Sequence, residues 1–178
     1  TGNSAYATNN VVLVERWCPV PFPQEVVVPI DVIEQIVRMG IEPCAMQVTD
    51  ASVAFHFPNG SWVRSQLFSD PWPNVAPVLA QPMTGLRPVP ETFFEDVKRL
   101  EKFITDNNTV VVKGTVLSTT EAEGEGAHLE IPHPLGDGKF HIKVLVKIAS
   151  IATKVDFDNR PAVFVAKNLR GVAMPHGE

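Results

Sequence analysis

FHIKVLVKIASIATKVDFDNRPAVFVAKNLRGVAMP, residues 140–175, is the stretch on which the reading of the fold turns. Its first residues belong to a short strand, KFHIK (139–143), that runs straight into a helical segment, VLVKIASIAT (144–153). DFDNRP (156–161) reads as a turn before Pro161, because Asp and Asn side chains bond their own backbone and proline sets the bend. Two strands rich in β-branched residues follow, PAVFVAKN (161–168) and RGVAMP (170–175). The order over 139–176 is β-α-β-β-β.

Working outward, the same order recurs at 25–68. EVVVP (25–29) reads as a short buried strand. It enters IDVIEQIVRMG, where Ile30, Ile33, Ile36 and Val37 form one apolar stripe and Gly40 is a helix stop. CAMQVT (44–49), SVAFHF (52–57) and SWVRSQL (61–67) follow as strands, the last two joined by Pro58-Asn59-Gly60. A related α-β-β-β run occupies 91–131. There a helix from about Glu91 to Ile104 turns Phe93, Phe94, Val97, Leu100 and Ile104 inward, ahead of strands NTVVVKG, TVLST and GAHLEIP. SDPWPNVAPVLAQPMTGLRPVP (69–90) has no period and reads as an inter-domain connector. At the front, SAYAT (4–8) and VVLVER (11–16) form two strands around an Asn9-Asn10 turn. This half-unit implies that the chain begins inside a domain. The expected fold class is α+β, with repeated units that place helices on one face of antiparallel sheets.

The 178 residues are enough for a core without metal or disulfides, and 44% hydrophobic with 20% charged residues describe a globular chain. Apolar runs fall far short of the roughly 20 residues that span a bilayer. No secretory leader pattern opens the sequence, and Cys18 and Cys44 read as reduced thiols of a cytoplasmic protein. A net charge of −5 excludes a uniformly basic nucleic-acid binder but not one with its cations gathered on one face. Five histidines lack metal-ligand spacing, and no phosphate loop or nucleophile elbow is present. No catalytic residue, metal or cofactor is expected.

Three stretches carry a resemblance: SAYATNNVVLVER, the run from EVVVPIDVIEQIVRM to WVRSQLFSDPWPNVAPVL, and FHIK through the terminal Met174-Pro175. Together they resemble the β sliding clamp of bacterial DNA polymerase III, the ring-shaped processivity factor. The resemblance implies the DNA-clamp fold, with 1–81 as the latter part of the clamp's middle domain and 82–178 as its C-terminal domain. It also implies a non-enzymatic protein that self-associates into a ring around double-stranded DNA and tethers polymerase and clamp loader through short peptide motifs.

By that resemblance a peptide-binding pocket is built from Thr8, Leu13, Pro73, Val78, Val172, Met174 and Pro175, with flexible Met and rigid Pro at its wall. The family commonly carries Gly-His-Arg just before the pocket leucine, where this chain has Asn10-Val11-Val12. Arg38, Lys98, Arg99, Lys102, Lys143, Lys147 and Lys154 are the expected DNA-facing cations, weakly placed so that a ring can slide. Lys143, Lys147 and Lys154 are spaced to share a helix face. Glu91 and Glu95 precede Lys98 and Lys102, so local ion pairs compete for that helix. Phe103 and Ile104 are the expected apolar contacts at the ring seam. A clamp-like decoy that binds the same peptides without encircling DNA is the alternative.

Overall fold

The computed structural model describes residues 3–19, 24–104, 108–120 and 126–177. In chain order the elements are β1 (Ser4–Thr8), β2 (Val12–Trp17), α1 (Ile30–Met39), β3 (Ala45–Val48), β4 (Ser52–His56) and β5 (Trp62–Gln66). Then come α2 (Ala76–Leu79), β6 (Arg87–Pro88), α3 (Phe93–Glu101), β7 (Thr109–Lys113), β8 (Val116–Ser118) and β9 (His128–Glu130). The chain ends with β10 (Gly138–His141), α4 (Ile142–Ile151), β11 (Lys154–Asp156), β12 (Ala162–Ala166) and β13 (Leu169–Ala173). The mixed α+β class with antiparallel sheets is as expected.

Local chemistry explains most boundaries. The β1–β2 turn is made by Asn9, whose Oδ1 accepts from the N–H groups of Val11 and Val12, and by Asn10 at φ 67°. Asparagine tolerates that left-handed conformation better than most residues. Gly40, at φ 65°, ends α1 and donates its N–H to the Val37 carbonyl. The His141 imidazole caps α4 by accepting from the Lys143 N–H at 3.2 Å.

The chain divides into two compact units. One is Pro19–Asn74 with Thr1–Asn3; the other joins Ser4–Cys18 to Val75–Glu178. The larger unit holds a six-stranded sheet, β1-β2-β13-β12-β11-β6, and a four-stranded sheet, β10-β7-β8-β9. Its repeat is an exchange. β6 precedes α3 but pairs with β11, the first strand after α4, while β10 precedes α4 but pairs with β7, the first strand after α3. Each half lends its leading strand to the other. One core joins both sheets to α3 and α4, with Phe93, Phe140, Phe157, Phe164, Leu100 and Leu145 all at 1% exposure or less.

The smaller unit is one half of such a pattern, α1 followed by the meander β3-β4-β5. Two expectations fail here. Residues 25–29 form no strand, because among the described residues no strand lies beside them to complete a ladder; their backbone carbonyls are taken instead by Phe68 N–H at Val27 and by Val32 N–H at Pro29. The α1 stripe is not core: none of the helix's residues is buried, and Ile30, Ile33 and Val37 are 64%, 39% and 72% exposed. Two more corrections fall in the larger unit. The proline-rich connector contains the short helix α2 and the strand β6, since Pro77 fits the first turn of a helix. And α4 stops at Ile151, which moves Lys154 onto a strand.

Candidate functional site

Strand alternation gives the six-stranded sheet two faces. Val12, Val14, Val155, Phe164 and Ala173 turn toward α3 and α4 in the main core. Leu13, Glu15, Val163, Arg170 and Val172 occupy the alternate positions on the other face. There the register sets Leu13 opposite Val172 and Glu15 opposite Arg170.

On this outer face Leu13, Val163 and Val172 form a second buried cluster with Leu79 of α2, and Val75 and Leu86 pack against it. Leu13 and Val172 are 6% and 5% exposed. Around them the surface is open: Val78 is 41% and Met174 46% exposed, and Thr8, opposite Leu13 in register, is exposed as well. Pro175 is buried, and the Met174 N–H donates to the Val11 carbonyl at 2.8 Å, which ties the end of β13 to the start of β2. Of the seven expected pocket residues, Leu13 and Val172 therefore share one apolar cluster, while Thr8, Val78 and Met174 are exposed. Pro73 belongs to the other unit and is exposed there. Leu79, Val163, Val75 and Leu86 were not anticipated. Val163 was legible, since in PAVFVAKN it must point opposite to the core residue Phe164.

A polar network adjoins the cluster on the same face. Glu15, 4% exposed, accepts from Tyr6 Oη at 3.0 Å and from Arg170 Nε in a short ion pair. Arg170 also donates to the Leu79 carbonyl of α2 at 3.4 Å and lies 5.7 Å from the Trp17 ring. Burial alone would raise the Glu15 carboxyl, but hydrogen bonds from Ser4, Arg170 and Tyr6 outweigh it and hold the group below its ordinary value. Burial, with the bond to Glu15, pushes the Tyr6 phenol up. One arginine thus links β13, β2 and α2.

The cations separate into groups. On α3, Lys98 pairs with Glu101 at 2.8 Å and Arg99 with Asp96 at 3.6 Å, while Lys102 caps the helix and is exposed. The competing acids are therefore Glu101 and Asp96 instead of Glu91 and Glu95. On α4, Lys143 and Lys147 are exposed and, among the described residues, carry no ion pair. Lys154 does not share their face: its neighbour Val155 enters the core, so Lys154 lies on the sheet side away from the helices. Arg38 pairs with Glu34 at 3.1 Å in the smaller unit. Phe103 is 63% exposed just past α3, and Ile104 is half-buried against the core. DFDNRP is the expected turn, in which Asp158 accepts from the Asp137 N–H and from Arg87.

No protein-family model matches this chain, and no curated protein does. Solved structures do. A DNA polymerase sliding clamp from Pseudomonas aeruginosa matches with a TM-score of 0.77 at 17% identity, over 100% of this chain and 57% of that one. Caulobacter crescentus pol III beta matches at 0.74 and 19% identity, over 97% and 53%. The Helicobacter pylori beta clamp matches at 0.75 and 11% identity, over 98% and 55%. The chain spans a little over half the length of these proteins, and across that span it has the fold of the bacterial sliding clamps.

Proposed function

We propose that the chain acts as part of a DNA sliding clamp, a non-catalytic processivity factor that encloses duplex DNA and holds polymerase and clamp loader through short peptides. In this reading 1–81 is the latter part of the clamp's middle domain and 82–178 its last domain. The observation that carries it is the outer-face cluster where β2 meets β13. An apolar floor of Leu13, Val163 and Val172 lies beside exposed Val78 and Met174, an arrangement suited to the anchor side chains of a short peptide. Leu13→Ala and Met174→Ala are each expected to weaken a clamp-recognition peptide by about 1–3 kcal/mol in a calorimetric titration. Unchanged affinity in both variants refutes the pocket.

Lys143 and Lys147 are the cations best suited to duplex DNA, since they are exposed and carry no ion pair among the described residues. Lys143→Glu with Lys147→Glu is expected to shorten retention on circular DNA and to reduce its salt dependence by about two charges. Lys98→Ala, whose ammonium already serves Glu101, should change retention less. A clamp reading fails if the native product stays monomeric at every concentration and is not retained on circular DNA.

The second reading is a clamp-like binder of the same peptides that never encircles DNA. The internal pairing of Lys98 and Arg99 favours it, as does Asn10-Val11-Val12 at the edge of the pocket. It predicts intact peptide binding without DNA retention.

A further inference from the structure

The strands β2, β13, β12 and β11 form the interior of the six-stranded sheet, each paired on both edges, so their outer face is complete within the larger unit. Two rows of side chains cross that face. One is the apolar floor of Leu13, Val172 and Val163, with Asp156 at its end. The other lies two residues along each strand, about 7 Å away, and runs Glu15, Arg170, Val165, Lys154. Lys154, which β11 turns away from the helices, is thus on one face with Arg170, and half-buried Val165 lies between them.

Accessible charge on this face has one sign. Its two carboxylates are withdrawn. Glu15 is buried beneath its bonds from Tyr6 and Arg170, and Asp156 accepts from the Asp158 N–H and abuts Gly85, where a Cβ would lie 2.3 Å from its Oδ2. Asp158 itself turns to Arg87. The segment 75–90, from which Val75, Leu79 and Leu86 pack on this face, contains no Asp or Glu. The cations remain available. Lys154 is exposed and, among the described residues, carries no ion pair. Arg170 commits Nε to Glu15 and Nη1 to the Leu79 carbonyl, which leaves Nη2 without a partner among the described residues. Glu15 and the Trp17 ring fix the guanidinium in place, so its remaining donor is already aimed. In a chain of net charge −5 this is a positive bank beside an apolar floor.

We propose that the outer-face site selects acidic peptides: an apolar anchor enters the floor of Leu13, Val172 and Val163, and Asp or Glu side chains near it are taken by Arg170 and Lys154. An extended segment places alternate side chains about 7 Å apart, which is the separation of the two rows. The carboxylate therefore belongs two positions from the anchor. Asn10-Val11-Val12 supplies no cation at the β1–β2 turn, so the charged side of the site comes from β13 and β11 instead. This inference rests on the peptide-binding reading and specifies its ligand.

The test uses three short synthetic peptides that share a Leu-Leu anchor and carry Glu, Gln or Lys two positions from it on either side. Each is titrated into the 178-residue chain and followed by fluorescence anisotropy. At ~50 mM salt the Glu peptide is expected to bind about five- to tenfold more tightly than the Gln peptide, with the Lys peptide weakest. Raising salt to ~0.5 M should erase most of the difference. Lys154→Glu should weaken the Glu peptide and strengthen the Lys peptide. Glu15→Gln with Arg170→Gln, which leaves no buried charge unpaired, should also reduce the preference for Glu. Lys113→Glu, exposed on the other sheet, should leave the order unchanged. Equal affinity for all three peptides overturns the selectivity and leaves the peptide site standing, whereas binding of none overturns both. A preference that survives both the Lys154 and the Glu15/Arg170 variants overturns the assignment. So does a single-stranded oligonucleotide that binds this face more tightly than the Glu peptide.

Discussion

Phe140→Ala is expected to remove about 3–5 kcal/mol from the stability of the larger unit, the range for deleting a fully buried phenyl ring. Phe140 is 0% exposed, and its ring lies 4.8 Å from that of Phe157, which in turn sits 6.4 Å from Phe93. These three rings come from β10, from the turn after β11 and from α3, so the lost contacts belong to both halves of the exchanged repeat. On the Gly138 side no side chain is present to fill the vacated space. Gly138 approaches the Phe140 ring so closely that a Cβ there would lie 2.6 Å from it. Chemical denaturation read by circular dichroism measures the loss. A change under about 1 kcal/mol would mean that the site relaxes freely and that the two halves are less interlocked than their strand exchange requires.

The second large effect is expected at Arg170. Arg170→Ala leaves the Glu15 carboxylate buried with no cation beside it, and breaking such a pair costs about 3–5 kcal/mol in a closed interior. Arg170 retains 28% side-chain exposure, which lowers the expectation to about 2–3 kcal/mol after screening. Glu15→Gln in the Arg170→Ala background should recover part of that loss, because it removes the unpaired charge. pH provides an independent readout. The folded-state Glu15 carboxyl titrates below its ordinary value of 4.5, so its contribution is complete above that value and disappears as pH falls through the folded value. Wild type should therefore lose more stability than Glu15→Gln on acidification from pH about 5 to about 3. Parallel loss in both proteins would show that Glu15 contributes nothing through its charge.

Arg170 also makes the outer-face cluster depend on polar chemistry. Its bond to the Leu79 carbonyl is one of the contacts holding α2 against β13, and Leu79 supplies part of the apolar floor. Polar residues outside the apolar floor thus help hold the cluster together.

What the sequence disclosed and what it withheld follow from the range of each interaction. The turn at Asn9-Asn10, the stop at Gly40 and the alternation in PAVFVAKN are local effects, and each was readable from a few residues. Residues 25–29 have strand chemistry but no strand, because a ladder needs a partner that composition does not reveal. The α1 stripe has core periodicity without a core for the same reason. Spacing alone places Lys154 on the helix face of Lys143 and Lys147, but α4 ends at Ile151 and Lys154 lies on β11, on the other side of the sheet. α2 is not legible in the sequence because four residues with a proline among them leave no period. The Glu15–Arg170 pair, 155 positions apart, follows only from strand register.

That separation also sets a timetable for biosynthesis. β2 needs β13 as its neighbour, and Arg170 of β13 is made 155 positions after Glu15 of β2. At ribosomal rates of about 5–20 residues per second, the first hairpin waits on the order of 8–30 seconds for the strand that closes its edge. Throughout that interval Leu13 has no Val172 to meet, and the edge is open to any other chain. The outer-face cluster therefore cannot form until β13 has been made. A nascent or prematurely terminated chain that lacks β13 would expose a sticky hairpin in place of the closed outer-face cluster.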